Sequence, residues 1–139
     1  MSFLLDTNVV SEWVKPYPHS GVISWLADVD EDRVFLSVIT LAELRYGIGR
    51  MAVGSRRKRL AEWLEEELPT RFEERILSID AATADVCGQL VAKSEKAGTR
   101  LEAMDAMLAA TAAVHHLTMV TRNTQDFNSV LADIFNPWA

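Results

Sequence analysis

One cysteine, Cys87, stands in a chain of 139 residues. No disulfide can therefore form within it, and the usage suits a reducing compartment. No apolar run reaches the roughly 18 residues of a spanning helix, and no signal-peptide pattern opens the chain. The protein is expected to be soluble and cytoplasmic, with no membrane association and a native start. Glycine and proline are scarce, at 6 and 4. There is no low-complexity tract, no internal repeat and no linker long enough to divide residues 1–139, so one domain is expected. Positive charge is also short: 14 Lys and Arg against 20 Asp and Glu leave a net −6. That balance argues against a protein coating nucleic acid through its whole surface. It leaves room for a local basic patch, or for metal ions neutralising a cluster of acids.

What is present is an alternation. Phe3-Leu4-Leu5 is a continuous apolar run closed by the polar cluster Asp6-Thr7-Asn8, the signature of a short strand buried on both faces. The helical segment Val9–Trp13 follows, then the turn-rich Lys15–Gly21, then helical spacing through Val22, Ile23, Trp25, Leu26 and Val29. The acidic run Asp28–Asp32 reads as a solvated helix end and loop. Val34-Phe35-Leu36 is a second strand, and Ser37 is placed to cap a helix whose far end Gly47 and Gly49 weaken. A further helix opens at Arg56 and is expected to end before Pro69. Ile76–Ile79 is a third strand, and Asp80 caps a helix from Ala81 to Lys96 that Gly98 ends. Leu101–His115 is an alanine-rich helix, Thr118–Thr121 a fourth strand, and Ile134-Phe135 a short fifth. The class is α/β with a largely parallel sheet.

In such sheets chemistry collects beyond the carboxyl ends of the strands, and four acids stand out there: Asp6, Glu43, Asp105 and Asp126. Each has a structural reading as well. Asp6 can be an Asx turn or N-cap, and Glu43 follows Thr40 in the Thr-x-x-Glu pattern of a capping box. Asp105 can favour the positive end of a helix, and Asp126 can cap a turn. Asp105 has Leu101, Leu108 and Ala109 as helical neighbours, a setting in which an unpartnered carboxylate is costly and calls for a cation or donor. If the first and fourth strands are neighbours, all four converge on one crevice. Carboxylates with water and phosphate oxygen suit a hard cation such as Mg²⁺ or Mn²⁺. The bases Arg45, Arg50, Arg56, Arg57, Lys58 and Arg59 gather within fifteen positions. They read either as a solvated face balanced by Glu62, Glu65, Glu66 and Glu67, or as a rim that tracks phosphates. The four tryptophans read as core, as does Cys87, and His115 and His116 as a helix end. An aspartyl-nucleophile phosphatase is disfavoured, because Asn8 stands where that class needs a second Asp.

Leu5–Glu12, Ser37–Gly47, Ala103–Ala112 and Thr121–Phe127 resemble, in order and spacing, the motifs of PIN-domain ribonucleases of the VapC toxin type, and Phe135–Trp138 is similar to the ending of the FitB-like subgroup. The resemblance implies a PIN-like three-layer fold, a five-stranded parallel sheet of order 3-2-1-4-5 between helices. It implies a Mg²⁺- or Mn²⁺-dependent endoribonuclease, the toxin of a type II toxin–antitoxin pair. Asp6 and Asp105 would be metal ligands, Glu43 the residue that orients or deprotonates the attacking water, and Thr7, Asn8 and Thr121 the groups supporting the carboxylates. Where some relatives carry a further Asp this chain has Asn123, so Asp126 is expected to serve instead. Implied partners are RNA, a small DNA-binding antitoxin lying in a groove that Trp63 or Tyr46 would line, and a second copy of the chain. The alternative is a non-catalytic PIN-like dimeric binding module.

Overall fold

A computed structural model describes all residues from Met1 to Ala139. Five strands, β1 (Phe3–Leu5), β2 (Val34–Ser37), β3 (Ile76–Leu77), β4 (Thr118–Val120) and β5 (Ile134–Phe135), form one sheet of order β3-β2-β1-β4-β5. Every pairing is parallel, with Phe3 opposite both Val34 and Thr118. The order reverses between β1 and β4, so a crevice opens beyond Leu5 and Val120.

Alternation along β1 builds the layers, because successive side chains leave opposite faces of a strand. Leu5 joins Val9, Val10, Val22, Leu36, Leu44, Leu64, Phe72 and Val120 in one core. Leu4 joins Leu108, Ala109, Met119 and Phe127 in the other. The first core is covered by α1 (Thr7–Val10), α2 (Ser20–Asp28), α3 (Val38–Gly49), α4 (Ser55–Glu62) and α5 (Leu68–Arg71). The second lies under α6 (Ala81–Lys96), α7 (Ala103–Val114) and α8 (Thr124–Phe127). Both Leu4 and Leu5 are fully buried, so truncating either to alanine is expected to cost about 2–5 kcal/mol.

Local chemistry sets the boundaries. Ser37 Oγ accepts from the Ile39 amide at 3.0 Å, and Asp80 Oδ1 from the Thr83 amide at 2.9 Å, so both expected caps form. The strands are shorter than the apolar runs suggest: β3 stops at Leu77 and β4 at Val120. Helix α7 begins at Ala103 and ends at Val114, with His116 in the left-handed region at φ 55°. The opening helical segment is one α-turn and then a 3₁₀ turn, Ser11–Val14. The acidic run contains another 3₁₀ turn, Glu31–Arg33, capped by Asp30.

Pro69 does not end the helix before it. Between α4 and α5 the chain widens into a π-turn, Trp63–Glu67, where the Leu68 amide reaches back to the Trp63 carbonyl. The wide turn lets Pro69 sit in the first turn of α5, where a missing N–H is tolerated. The tryptophans are partly buried against the first core. Cys87 is half-buried at the margin of the second rather than enclosed.

Candidate active site

The candidate residues come from four separate segments. Asp6 leaves β1 with its amide donating to the Val120 carbonyl at 2.9 Å, which extends the β1–β4 ladder one step and sets Asp6 against Thr121. Its side chain is only 6% exposed. Oδ1 accepts from the Thr7 amide at 2.7 Å and Oδ2 from the Thr121 hydroxyl at 2.7 Å. Asp6 is thus an N-cap of α1 and a crevice carboxylate at once. The Thr121 hydroxyl also accepts from the Asn123 amide at 2.9 Å, so the turn after β4 is tied to the same oxygen.

Glu43, half-buried on α3, accepts from the Thr7 hydroxyl at 2.6 Å. The Thr40-x-x-Glu43 pattern is not a capping box, because Ser37 holds the N-cap and Thr40 lies buried inside the helix, 3.5 Å from the Thr7 hydroxyl. Thr40 supports the site, and the Thr-x-x-Glu spacing was the only sign of it in the sequence. Asp105 projects from the first turn of α7, half-buried. Asp126 is exposed on α8.

These groups feel one another. Burial, then the charges of Asp6, Asp126, Glu43 and Glu102, push the Asp105 carboxyl up to about 6. Asp6 is raised by its burial and by Glu43 and Asp126, against the lowering effect of its two hydrogen bonds. Asp6 and Asp105 therefore each feel Glu43 and Asp126, and the Asn123 side chain makes no capping hydrogen bond.

No three acidic, histidine or cysteine side chains converge tightly enough to cage an ion alone. The donor set still fits a hard divalent ion that keeps most of its water. It consists of oxygen only, its carboxylates repel one another, and the buried Asn8 Oδ1, two residues beyond Asp6, has no hydrogen-bond partner.

The basic residues do not gather with the acids. Arg45 pairs with Glu65 at 2.9 Å, Arg50 lies over the Tyr46 ring at 5.4 Å, and Arg56 donates to the Val14 carbonyl at 3.4 Å. Arg57 is half-buried, and Lys58 and Arg59 are exposed on α4. Of the six, Arg56 alone lines the groove of about 220 Å³ that it shares with Thr7, Glu43, Leu44, Ile48 and Trp63. Tyr46 is 66% exposed and lies outside that groove.

Comparison with known proteins agrees with this fold. The PIN domain profile matches residues 3–131. The chain is 41% identical to the plasmid stability protein StbB of Pseudomonas syringae pv. tomato and 39% identical to the toxin FitB of Neisseria gonorrhoeae, each over 97% of both chains. It is 36% identical to the VapC ribonuclease Y4jK of Sinorhizobium fredii over 97% of this chain and 96% of that one. The solved structure of FitAB bound to a DNA fragment superposes with a TM-score of 0.93 at 36% identity, covering 99% of this chain and 96% of that chain.

Proposed function

The chain belongs to the PIN-domain family, and from that premise we propose that it is a divalent-metal-dependent endoribonuclease acting as the toxin of a toxin–antitoxin pair. The observation that supports this reading is that Thr7 and Thr121 hydrogen-bond Glu43 and Asp6 at the sheet's switch point, with Asp105 and Asp126 within charge reach of Asp6. Relatives named as ribonucleases and toxins along nearly the whole chain supply the reaction class.

Asp6 and Asp105 would hold Mg²⁺ or Mn²⁺, which when bound supplies a nucleophilic water and screens charge on the phosphorus oxygens. Thr121 and the Thr7 amide fix both Asp6 oxygens, so that carboxylate is positioned before substrate arrives. Glu43, held by the Thr7 hydroxyl, has a second oxygen free to orient the attacking water and take its proton. Asp126 completes the negative set in the place of Asn123. Cleavage forms a new P–O bond to water and breaks the bond to the ribose oxygen.

The groove between α1, α3 and α4 begins at Thr7 and Glu43 and continues past Leu44, Ile48 and Trp63. An antitoxin segment seated there would cover the catalytic groups. A second copy of the chain would pair through α6 and α7, and the protein would work in the cytoplasm. No helix is long and apolar enough to cross a membrane.

The test is purified protein on a mixed RNA pool, with and without Mg²⁺ or Mn²⁺. Cleavage that requires the ion, together with a melting temperature that rises on adding it to wild type but not to Asp105→Asn, supports the reading. RNA binding without cleavage at any metal concentration would make the protein a non-catalytic binding module.

A further inference from the structure

Beside the acids lies a second concavity, of about 230 Å³, lined by Arg122, Asn123, Thr124, Gln125 and Asp126 and by no apolar side chain. Asp126 belongs to both places, since its charge acts on Asp6 and Asp105. The cleft is tied to the proposed reaction centre by Thr121, whose hydroxyl accepts from the Asn123 amide and donates to Asp6. Its groups are uncommitted: Asn123 makes no side-chain cap, and Gln125 is exposed.

Arg122 follows directly on Thr121, the residue that holds Asp6, yet it belongs to none of the chain's ion pairs. Its guanidinium lies over the Trp138 indole instead, 5.5 Å from the ring centroid. Trp138 is itself fixed, its amide donating to Asn136 Oδ1 at 2.9 Å and its ring lying 6.3 Å from that of His19. A guanidinium held on an aromatic face keeps its in-plane donors free and suits an RNA phosphate. Side-chain amides beside it present donor and acceptor together, the set that reads a base edge.

We propose that the Arg122–Asp126 cleft binds the nucleotide next to the scissile bond, with Arg122 gripping its phosphate and the amides of Asn123 and Gln125 reading its base. This rests on the ribonuclease reading and makes the turn after β4 a determinant of where the RNA is cut. It also gives the four acids a nearby cation to offset their repulsion of the substrate.

The experiment sequences cleavage ends from a randomised RNA pool and measures kcat and KM on one oligonucleotide taken from the preferred sites. Gln125→Ala should flatten the base preference at one position flanking the cut. Arg122→Ala should raise KM about tenfold or more with kcat little changed, and Arg122→Lys should recover part of it. Arg33→Ala, which removes one charge at the opposite end of the sheet, should leave both constants unchanged. If wild type cleaves but Gln125→Ala keeps the wild-type cleavage logo and Arg122→Ala the wild-type KM, the cleft is not a substrate site. If wild type does not cleave, the ribonuclease reading itself falls. Should Arg122→Ala unfold, judged by circular dichroism, the exposed Gln125 still decides.

Discussion

The acids and the bases of this chain are organised in opposite ways. Asp6, Glu43, Asp105 and Asp126 come from four distant segments, yet the charges of the other three all reach Asp105. The bases between Arg45 and Arg59 are neighbours in sequence but spread over two helices, each meeting solvent, an aromatic ring or a local partner. Asp6 and Asp105 are raised because they combine burial with like charge from the other acids, a combination none of these bases has. A charge cluster along the sequence is thus a weaker sign of a site than charges made adjacent by the fold.

The largest effect expected from breaking the acid side is loss of cleavage to background in Asp6→Asn and in Asp105→Asn, measured on purified, folded protein. Asparagine preserves the N-cap at position 6, so folding should survive there. Wild-type rates in either variant would remove that acid from the site. Next in size is the support: Thr121→Val keeps shape but removes the hydroxyl that donates to Asp6. It should weaken the response to Mg²⁺ by about 10–100-fold, read as the metal concentration giving half-maximal rate.

The raised carboxyl of Asp105 sharpens the comparison through pH. Activity that needs its ionised form should rise with a midpoint near 6, and Asp126→Asn should move that midpoint down by removing a like charge. Stability runs the other way. The folded carboxyl holds its proton more tightly than the unfolded one, so stability falls as pH climbs from about 4 to about 6. Asp105→Asn should therefore melt higher than wild type at neutral pH in metal-free buffer. The gain should be about 1–2 kcal/mol after solvent screening of a half-exposed group, and it should vanish below about pH 4. An equal melting temperature at pH 7.5 would mean that neither burial nor like charge disfavours the ionised Asp105 carboxylate.

The smallest effects belong to the bases. Arg57→Ala and Lys58→Ala should leave kcat unaltered and each lower the salt slope of RNA binding by about one at most. A large loss of kcat in either would place the basic stretch inside the reaction centre.

Much of this was legible from residue order. Apolar runs closed by polar residues located all five strands, and position along the chain singled out the four candidate acids. Capping at Ser37 and Asp80 followed from their hydroxyl and carboxylate. Three things were not legible. Thr40 and Glu43 satisfy a local capping pattern, and only the approach of Thr7 from another segment gives them a different use. Pro69 normally ends a helix, and nothing in the sequence signals the wide turn that admits it. Arg122 looks like an ordinary loop cation until Trp138, sixteen residues later, comes to lie beneath it.

That wide turn at Trp63–Glu67 has a consequence for the segment before it. Each residue of an α-helix advances about 100° around the axis. Deleting one residue there would restore regular winding and swing Ser55–Glu62 through about that angle relative to α5. Arg56 would then leave the mouth of the groove, and Leu60 would turn away from it. The direction in which the arginine-rich helix faces is fixed by one surplus residue in its winding.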